Sequence, residues 1–206
     1  MATALVSRSG VLEFEPSTHT YRLDGQVIPG VTSVLKGVGL IDYSFIPQDV
    51  LQAAARRGKL VHQALQYYAD GSLDEHSLDP AIAGYVVAGI RFHEESRLTV
   101  ANIEQRVCDP VRRYAGTFDL DCVIAGELWL IDYKTGIILP GHRYQLAGYL
   151  NCRRMPRRYR RAALKLCADG SYQLIEFPRG EFQRDIDRFL FALSEFYSQT
   201  NGGSIQ

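Results

Sequence analysis

The sequence predicts an α/β fold in a single domain. Two neighbouring runs, Thr117 to Ile124 and Leu128 to Lys134, alternate apolar and polar residues with the period of a β-strand. Segments with the helical period of apolar residues lie before and after them in the chain. The resulting order around this centre is helix, strand, strand, strand, helix, strand. A length of 206 residues is enough for one domain with a proper core.

Composition limits the class of protein. The chain is 46% hydrophobic and 22% charged, as soluble globular proteins are. No apolar run approaches the ~18 residues of a membrane span, and the first residues lack the longer apolar core of a signal peptide. We therefore expect a cytoplasmic protein with no membrane partner. The formal net charge of zero argues against a strongly basic DNA coat protein but leaves room for a local basic patch.

The four cysteines do not form a metal-binding motif. They stand at positions 108, 122, 152 and 167, and no two have the Cys-x-x-Cys spacing. A zinc or iron–sulfur site is therefore poorly supported. We interpret all four as small hydrophobic residues in a reducing compartment.

The N-terminal part predicts a small hairpin element over residues 11–35, after a flexible segment over residues 1–10. Turn-forming residues separate three short runs with strand composition. These runs are Val11 to Glu15, Thr20 to Leu23 and Gln26 to Ile28. Thr32 is predicted to cap a short helix that continues through Leu35.

The other elements follow from periodicity. Four segments have helical period and three more have strand patterns. The helices are expected over 47–70, 80–96, 142–152 and 181–198, and the strands over 102–108, 162–167 and 172–177. The first of these helices is predicted to break at Gly58. Residues 200–206 are expected to be flexible.

The central hairpin predicts a pair of opposed carboxylates. Ala125-Gly126 can form a two-residue loop, which pairs Ile124 with Glu127 and places Asp119 opposite Asp132. Opposed side chains in an antiparallel pair have Cβ atoms roughly 4.5–5.5 Å apart, and like charges there are destabilising. A shared divalent cation is the simplest explanation, since hard ions such as Mg²⁺ bind carboxylate oxygens.

Alternation also assigns side chains to faces of this hairpin. Asp132 and Lys134 continue the apolar face of Leu128 and Leu130. Lys134 can thus act beside a metal-bound oxyanion, as phosphodiester hydrolysis requires. The alternative is a solvent-exposed strand end with ordinary charges. On the preceding strand, one face carries the acids Asp119 and Asp121, and the other is expected to hold Phe118, Leu120, Cys122 and Ile124.

Three motifs in order resemble the PD-(D/E)XK nuclease superfamily, and within it the RecB-like exonuclease branch. That branch includes phage exonucleases and the mitochondrial genome-maintenance exonuclease. The resemblance covers roughly Tyr21 to Tyr149. The proline of the superfamily's name is missing, but this branch commonly has Gly-x-x-Asp instead. The motifs are Gly116-x-x-Asp119, Asp132-Tyr133-Lys134-Thr135 and Gln145-x-x-x-Tyr149.

The resemblance implies a restriction-endonuclease-like core over residues 58–177, with a central mixed β-sheet flanked by helices. It implies a deoxyribonuclease that depends on Mg²⁺ or Mn²⁺ and cleaves DNA as an exonuclease. Some members of the branch carry an iron–sulfur cluster on closely spaced C-terminal cysteines. Those cysteines are missing here, so no such cluster is expected.

The resemblance also implies roles for individual residues. Lys134 would position the attacking water or neutralise developing charge, and Gln145 and Tyr149 would position the substrate. Glu104 is either a helper near the metal or a surface strand residue. By pattern alone His62 is an ordinary boundary residue of a helix, but Arg57-Gly58-x-x-x-His62 resembles the first motif of the branch. The implied metal ligands are His62, Asp119, Asp132 and the main-chain carbonyl of Tyr133.

An arginine-rich segment over residues 153–161 is the one strong cluster of charge. Its simplest interpretation is a solvated turn, and its functional interpretation is contact with DNA phosphates. Thr32 and Ser33 are further candidates for phosphate contact. The arginines proposed to bind DNA are Arg57, Arg143, Arg157, Arg158, Arg160 and Arg161.

The predicted partner is DNA, as single strands or DNA ends, with recombination or replication proteins as further candidates. The expected context is recombination, repair or phage DNA processing. Two other classes stay open. One is a sequence- or structure-specific endonuclease on the same fold, and the other is a non-catalytic nucleic-acid-binding module. The complete set of Asp119, Asp132 and Lys134 argues against the latter.

Overall fold

The computed structural model describes residues 10–202, which form five helices and eight strands apart from short 3₁₀ turns. The helices are α1 (Val31–Gly37), α2 (Gln48–Ala69), α3 (Pro80–Glu95), α4 (His142–Asn151) and α5 (Phe182–Gly202). The first strands are β1 (Leu12–Glu15), β2 (Thr20–Leu23) and β3 (Gln26–Ile28). The remaining strands are β4 (Thr99–Asp109), β5 (Tyr114–Ile124), β6 (Glu127–Lys134), β7 (Tyr159–Leu166) and β8 (Tyr172–Phe177).

The main sheet has five strands in the order β4-β5-β6-β7-β8. Only β6 and β7 are parallel, and α4 connects them. Apolar residues of α1, α4 and α5 pack on one face of the sheet, and those of α2 and α3 pack on the other. The predicted α/β class, a mixed sheet flanked by helices, is confirmed.

The strands β1, β2 and β3 form a small antiparallel sheet of their own. It is joined to the main sheet where Gly30 bridges to Ala115 of β5. Tyr21 also reaches across, with its hydroxyl 2.8 Å from Thr117 Oγ1. The predicted N-terminal element is therefore packed against the strand that carries Asp119.

The central hairpin has the predicted register. Ile124 pairs with Glu127, and the pairing continues to Leu120 opposite Ile131. The loop residues Ala125 and Gly126 have φ of 50° and 80°. Two consecutive positive values are those of a type I′ turn, whose twist suits a two-residue hairpin.

One predicted face is wrong. Phe118 packs in the same core cluster as Leu130, on the face of α4 and α5, whereas Leu120 and Cys122 pack on the face of α2 and α3. Strict alternation is interrupted at Asp119, directly after the last regular pair. The ladder with β6 ends at Leu120, and in the ladder with β4 the strained Glu104 lies between the pairs on either side of Asp119. A period of two cannot anticipate such irregularities.

The predicted break at Gly58 is also wrong, because α2 is continuous from Gln48 to Ala69. A single glycine inside a helix costs about 1 kcal/mol relative to alanine, which packing can offset. Gly58 lies against the end of β6, where an added Cβ would be 3.7 Å from Thr135 Oγ1. This is an ordinary contact distance, so the space around Gly58 would also admit an alanine.

Three local predictions need correction. Gly30, not Thr32, is the N-cap of α1, and Thr32 lies inside the helix. The arginine-rich segment is not one turn, because Tyr159 to Arg161 already belong to β7. Residues 1–9 and 203–206 lie outside the described residues, while residues 200–202 continue α5.

None of the helices within residues 10–202 is both long enough and apolar enough to span a bilayer.

Candidate active site

The candidate site lies where β5 and β6 separate, at the end of their ladder. Asp119 Oδ2 accepts a hydrogen bond of 2.6 Å from the backbone N–H of Tyr133. A side-chain oxygen thus binds a backbone donor that would otherwise be left without a partner. Asp119 and Asp132 are both buried, at 5% and 2% exposure. Burying two carboxylates in one place is costly unless each has a partner of opposite charge.

Three metal-ligating side chains converge beside this point. His62 Nδ1 of α2 lies 3.3 Å from Asp119 Oδ1 and 3.3 Å from Glu104 Oε1. One ligand atom from each of the three residues lies within 4.8 Å of the others. We call His62, Glu104 and Asp119 the acidic cluster.

The backbone carbonyl of Tyr133 borders the acidic cluster, with its oxygen 3.2 Å from His62 Nε2. Both ring nitrogens of His62 therefore face oxygen atoms, an arrangement that favours the protonated ring. Burial alone would lower the pKa of His62, but the carboxylates of Asp119 and Glu104 outweigh it and hold that pKa well above its usual value. The oxygens at this place thus stabilise a positive charge among them.

Glu104 reaches the cluster through an unusual backbone conformation. It has a φ of 47° within β4, a region that L-residues other than Asn and Asp seldom adopt. Such strain costs of order 1–3 kcal/mol and concentrates at functional sites. The Oε1 atom of Glu104 is buried, and apart from the ion-pair contact with His62 Nδ1 it has no hydrogen-bond donor within the described part of the chain. The structure thus places Glu104 in the acidic cluster, and its role as a helper near a metal stays a prediction.

Asp132 lies on the other side of the site, in an ion pair with Lys134. It is not one of the three residues of the acidic cluster. Burial raises the pKa of Asp132, and the ammonium of Lys134 opposes that rise. Burial would lower the pKa of Lys134, but Asp132 and Asp119 together raise it, so the lysine is held charged.

Gln145 and Tyr149 of α4 orient Lys134. Gln145 Oε1 accepts a hydrogen bond of 3.3 Å from Lys134 Nζ. Gln145 Nε2 donates to Tyr149 Oη at 2.9 Å and to Thr32 Oγ1 at 3.0 Å. With 5% and 3% exposure, Gln145 and Tyr149 offer little surface to a substrate. Their geometry is that of residues that position Lys134.

Gly116, the first residue of the Gly-x-x-Asp motif, makes room for the Tyr149 ring. A Cβ at this position would be 2.4 Å from Tyr149 Cε1. Only glycine permits this approach. This contact gives a physical reason for the glycine of the Gly-x-x-Asp motif, which the sequence alone did not provide.

We expect Gly116→Ala to lower both stability and activity. The ring of Tyr149 would have to move, which costs about 1–3 kcal/mol as overpacking does and disturbs the hydrogen bond that orients Gln145. Thermal melting and the rate of DNA cleavage would measure the two effects. Gly180→Ala is the matched control, because an added Cβ there meets nothing within 4 Å. A Gly116→Ala variant as stable and active as the wild type would contradict this role.

Three of the arginines proposed to bind DNA are engaged inside the protein. Arg161 is 1% exposed and pairs with Asp185 at 2.7 Å, so its predicted contact with phosphate is wrong. Arg143 binds Asp185 at 2.7 Å and Glu181 at 3.2 Å. Arg160 stacks on a tryptophan ring and its guanidinium binds two glutamates. Their acidic partners neutralise all three.

Arg157 and Arg158 are exposed but distant from the acidic cluster. They precede β7, whose first residue Tyr159 pairs with Leu128, whereas Lys134 pairs with the far end of β7. At about 3.3 Å per residue, the two arginines lie roughly 20 Å from the site along the strand. Contact with DNA by these two residues stays a prediction.

Arg57 lies beside the site and contacts the residues that border it. Its guanidinium donates to the carbonyl of Thr135 at 3.1 Å and stacks on Tyr85, 5.1 Å from the ring centre. It thereby ties α2 to the turn that follows Lys134.

The structure adds residues that the sequence did not indicate. His142 is buried next to Asp132 and Lys134, accepts a hydrogen bond from the Leu139 N–H at Nδ1, and lies 3.1 Å from the Tyr43 hydroxyl at Nε2. Burial lowers the pKa of His142 to about 4, so this ring is neutral. The only feature of the sequence that could have indicated His142 was its position at the start of α4, three residues before Gln145.

An apolar cleft of about 470 Å³ opens beside the site, between α1, α2 and the end of β6. His62, Lys134 and Gln145 line its inner end. Lys36, Arg57 and Lys59 provide further cationic side chains at its border.

The acidic cluster fits a divalent metal ion of the Mg²⁺ or Mn²⁺ kind. Two carboxylates and a backbone carbonyl are oxygen ligands, which suit these ions, and a single imidazole is compatible with Mn²⁺. Apart from His62, the buried Oε1 of Glu104 has no hydrogen-bond donor within residues 10–202, which supports the same assignment. Asp132, although outside the cluster, adds negative charge next to it.

Comparisons with known proteins assign no family to this chain. No protein-family model matches the sequence, and no curated protein matches it either. Among solved structures, the chain is similar to an alkaline exonuclease (LHK-Exo) from Laribacter hongkongensis, with 15% identity and a TM-score of 0.39. That alignment covers 85% of this chain and 92% of the exonuclease.

Proposed function

We propose that this protein is a deoxyribonuclease that depends on Mg²⁺ or Mn²⁺ and acts as an exonuclease. The observation that carries the proposal is the convergence of His62, Glu104 and Asp119 next to the Tyr133 carbonyl, with the Asp132–Lys134 pair beside it. These are the positions at which the sequence resembles the PD-(D/E)XK nucleases. The architecture is also the one that this resemblance implies.

The metal would be held by His62, Glu104, Asp119 and the Tyr133 carbonyl, with Asp132 close by. When bound, such an ion supplies a water of lowered pKa and neutralises charge on a phosphoryl oxygen. The chain itself supplies the geometry. The Tyr133 N–H fixes one oxygen of Asp119, which leaves the other oxygen facing His62.

Lys134 would donate hydrogen bonds from its ammonium group to the attacking water, which positions it, or to the phosphoryl oxygens as negative charge grows on them. Asp132 keeps the amine protonated, and Gln145 fixes its direction. A fixed positive charge of this kind stabilises the transition state more than the ground state, and this difference is what accelerates a reaction. In this proposal Gln145 and Tyr149 act through Lys134.

Lysines beside the apolar cleft would contact the DNA backbone near the site. Neither Lys36 nor Lys59 forms an ion pair within residues 10–202, unlike Arg143, Arg160 and Arg161. Contact with phosphate by Arg157 and Arg158 would require a strand that extends to the other end of β6.

Replacing Lys36 and Lys59 together by serine should flatten the salt dependence of DNA binding. Each lost phosphate contact lowers the slope of log affinity against log salt by about 0.7 on single strands, so the double variant should lose about 1.4. The matched comparison is Arg157→Ser with Arg158→Ser, for which we expect a smaller change. A larger loss of slope for the arginine pair would place the DNA at the other end of the sheet.

End-labelled DNA tests the proposed activity. With Mn²⁺, linear DNA should be shortened from an end and covalently closed circles should persist. Cleavage of circles would instead show an endonuclease. Binding without any cleavage would show a non-catalytic module.

We place the exonuclease in recombination, repair or phage DNA processing in the cytoplasm of a bacterial host, with recombination or replication proteins as candidate partners.

A further inference from the structure

We propose that the apolar cleft binds one unpaired nucleobase of the DNA strand next to the scissile phosphate, so that the substrate must be single-stranded at the site. This inference rests on the proposed nuclease function and deepens it.

The outer part of the cleft is a continuous aliphatic surface. It is formed by the segment before α2, by the first half of α2 and by the residue after the turn at the end of β6. The residues that form it are Ile41, Ile46, Val50, Leu51, Ala54, Ala55 and Ile137. Val50 and Ile137 are each more than half exposed. Grouped apolar surface that stays open to solvent indicates a binding site.

The charges of the cleft select an anionic ligand. Lys36, Arg57, Lys59 and Lys134 line it, and none of its lining residues within the described chain is acidic. This is a strong local bias in a protein whose formal net charge is zero. An apolar surface whose charged lining residues are all cations suits a ligand with a flat apolar part and a negative part. A nucleotide has both.

Position and size restrict the ligand further. Because His62, Lys134 and Gln145 line both the cleft and the candidate active site, a ligand there adjoins the reacting phosphate. A volume of about 470 Å³ lies within the ~300–1,000 Å³ of ordinary small-ligand sites. That is room for a single nucleotide, while a paired base in a duplex is already stacked and hydrogen-bonded. The base must therefore be unpaired to enter.

Binding to single-stranded oligonucleotides tests the inference in chelator, where the proposed nuclease does not cleave. One abasic residue is placed at each position in turn along the strand. A base seated on the aliphatic surface removes apolar area from water, which favours binding, so we expect one abasic position to weaken binding about tenfold and the others to have little effect. A duplex of the same sequence should bind more weakly than the single strand.

Two neighbouring alanines of α2 provide matched variants. Ala54 lines the cleft, whereas Ala53 is exposed outside it. Ala54→Phe should fill the space and weaken binding of the intact strand to the level of the abasic one. Ala53→Phe should bind as the wild type does and keep the tenfold effect.

Equal binding of intact and abasic strands at every position would overturn the inference. So would equal behaviour of the two alanine variants, or equal binding of duplex and single strand. If the protein cleaves DNA in Mn²⁺ but shows one of these results, only the cleft assignment fails. Absence of cleavage in Mn²⁺ is a failure of the proposed function itself.

Discussion

Lys134→Ala is expected to slow DNA cleavage by about 10²–10³, the usual loss when one stabilising group of a transition state is removed. The affinity for Mn²⁺ should change much less. Lys134 contacts Asp132 and Gln145, whereas the acidic cluster is made of other residues. The loss should therefore appear in kcat rather than in metal binding.

The variant also leaves Asp132 buried without its cation. Breaking a buried ion pair on one side can cost ~3–5 kcal/mol, so thermal melting must accompany the rate. Lys134→Arg keeps the charge and should stay folded, yet remain slow, since a planar guanidinium cannot replace a compact ammonium. Lys165→Ala is the matched control, because Lys165 pairs with Lys134 in the neighbouring strand. An unchanged rate in folded Lys134→Ala would remove Lys134 from its role.

Asp119→Asn should abolish most cleavage and most of the stabilisation by Mn²⁺. A metal at a free concentration one hundred times its dissociation constant stabilises a protein by about 2.7 kcal/mol. At a concentration equal to the dissociation constant, the stabilisation is only ~0.4 kcal/mol. For a chain of this size the larger value corresponds to roughly 5–10 °C. A variant whose affinity falls a hundredfold should thus lose nearly all of the metal-induced rise in Tm.

Without metal, the Asp119→Asn variant should melt close to the wild type. The amide oxygen can still accept from the Tyr133 N–H, and relief of repulsion with Glu104 and Asp132 offsets the lost attraction to His62. The strand register alone would predict a rise in Tm, because it shows only that Asp119 lies opposite Asp132.

Asp121→Asn is the control for Asp119→Asn. Asp121 is the next acid on β5, but it binds Arg153 and Asn102 away from the acidic cluster. Its replacement should lower Tm equally in chelator and in Mn²⁺ and leave the metal-induced rise intact. The same loss of that rise in both variants would show that Asp119 is not a specific ligand.

Local pattern was sufficient for the parts of the fold in which neighbours along the chain decide the structure. The Ala125-Gly126 turn set the register of β5 and β6, and that register is confirmed. The face of Phe118 and the strained Glu104 could not be predicted, because both lie where the strand ladders next to Asp119 are irregular. The periodic pattern of apolar residues along a strand does not show where such an irregularity occurs.

The arginines show a second limit of sequence. Charge along the chain is visible, but the partners of Arg143 and Arg161 lie on α5, far away in sequence. Lys36 and Lys59 are isolated in sequence and come together only at the cleft. Local charge density therefore indicates the arginine-rich segment, whereas the cations beside the cleft are brought together only by the fold.

The central claim is metal-dependent cleavage of phosphodiester bonds at the acidic cluster. Its most direct test is the rate at which the purified wild-type chain cleaves end-labelled single-stranded DNA in Mn²⁺ and in excess chelator, with Asp119→Asn measured in parallel. We predict cleavage only by the wild type and only in Mn²⁺. Full cleavage in chelator, or equal cleavage by Asp119→Asn, would contradict the claim.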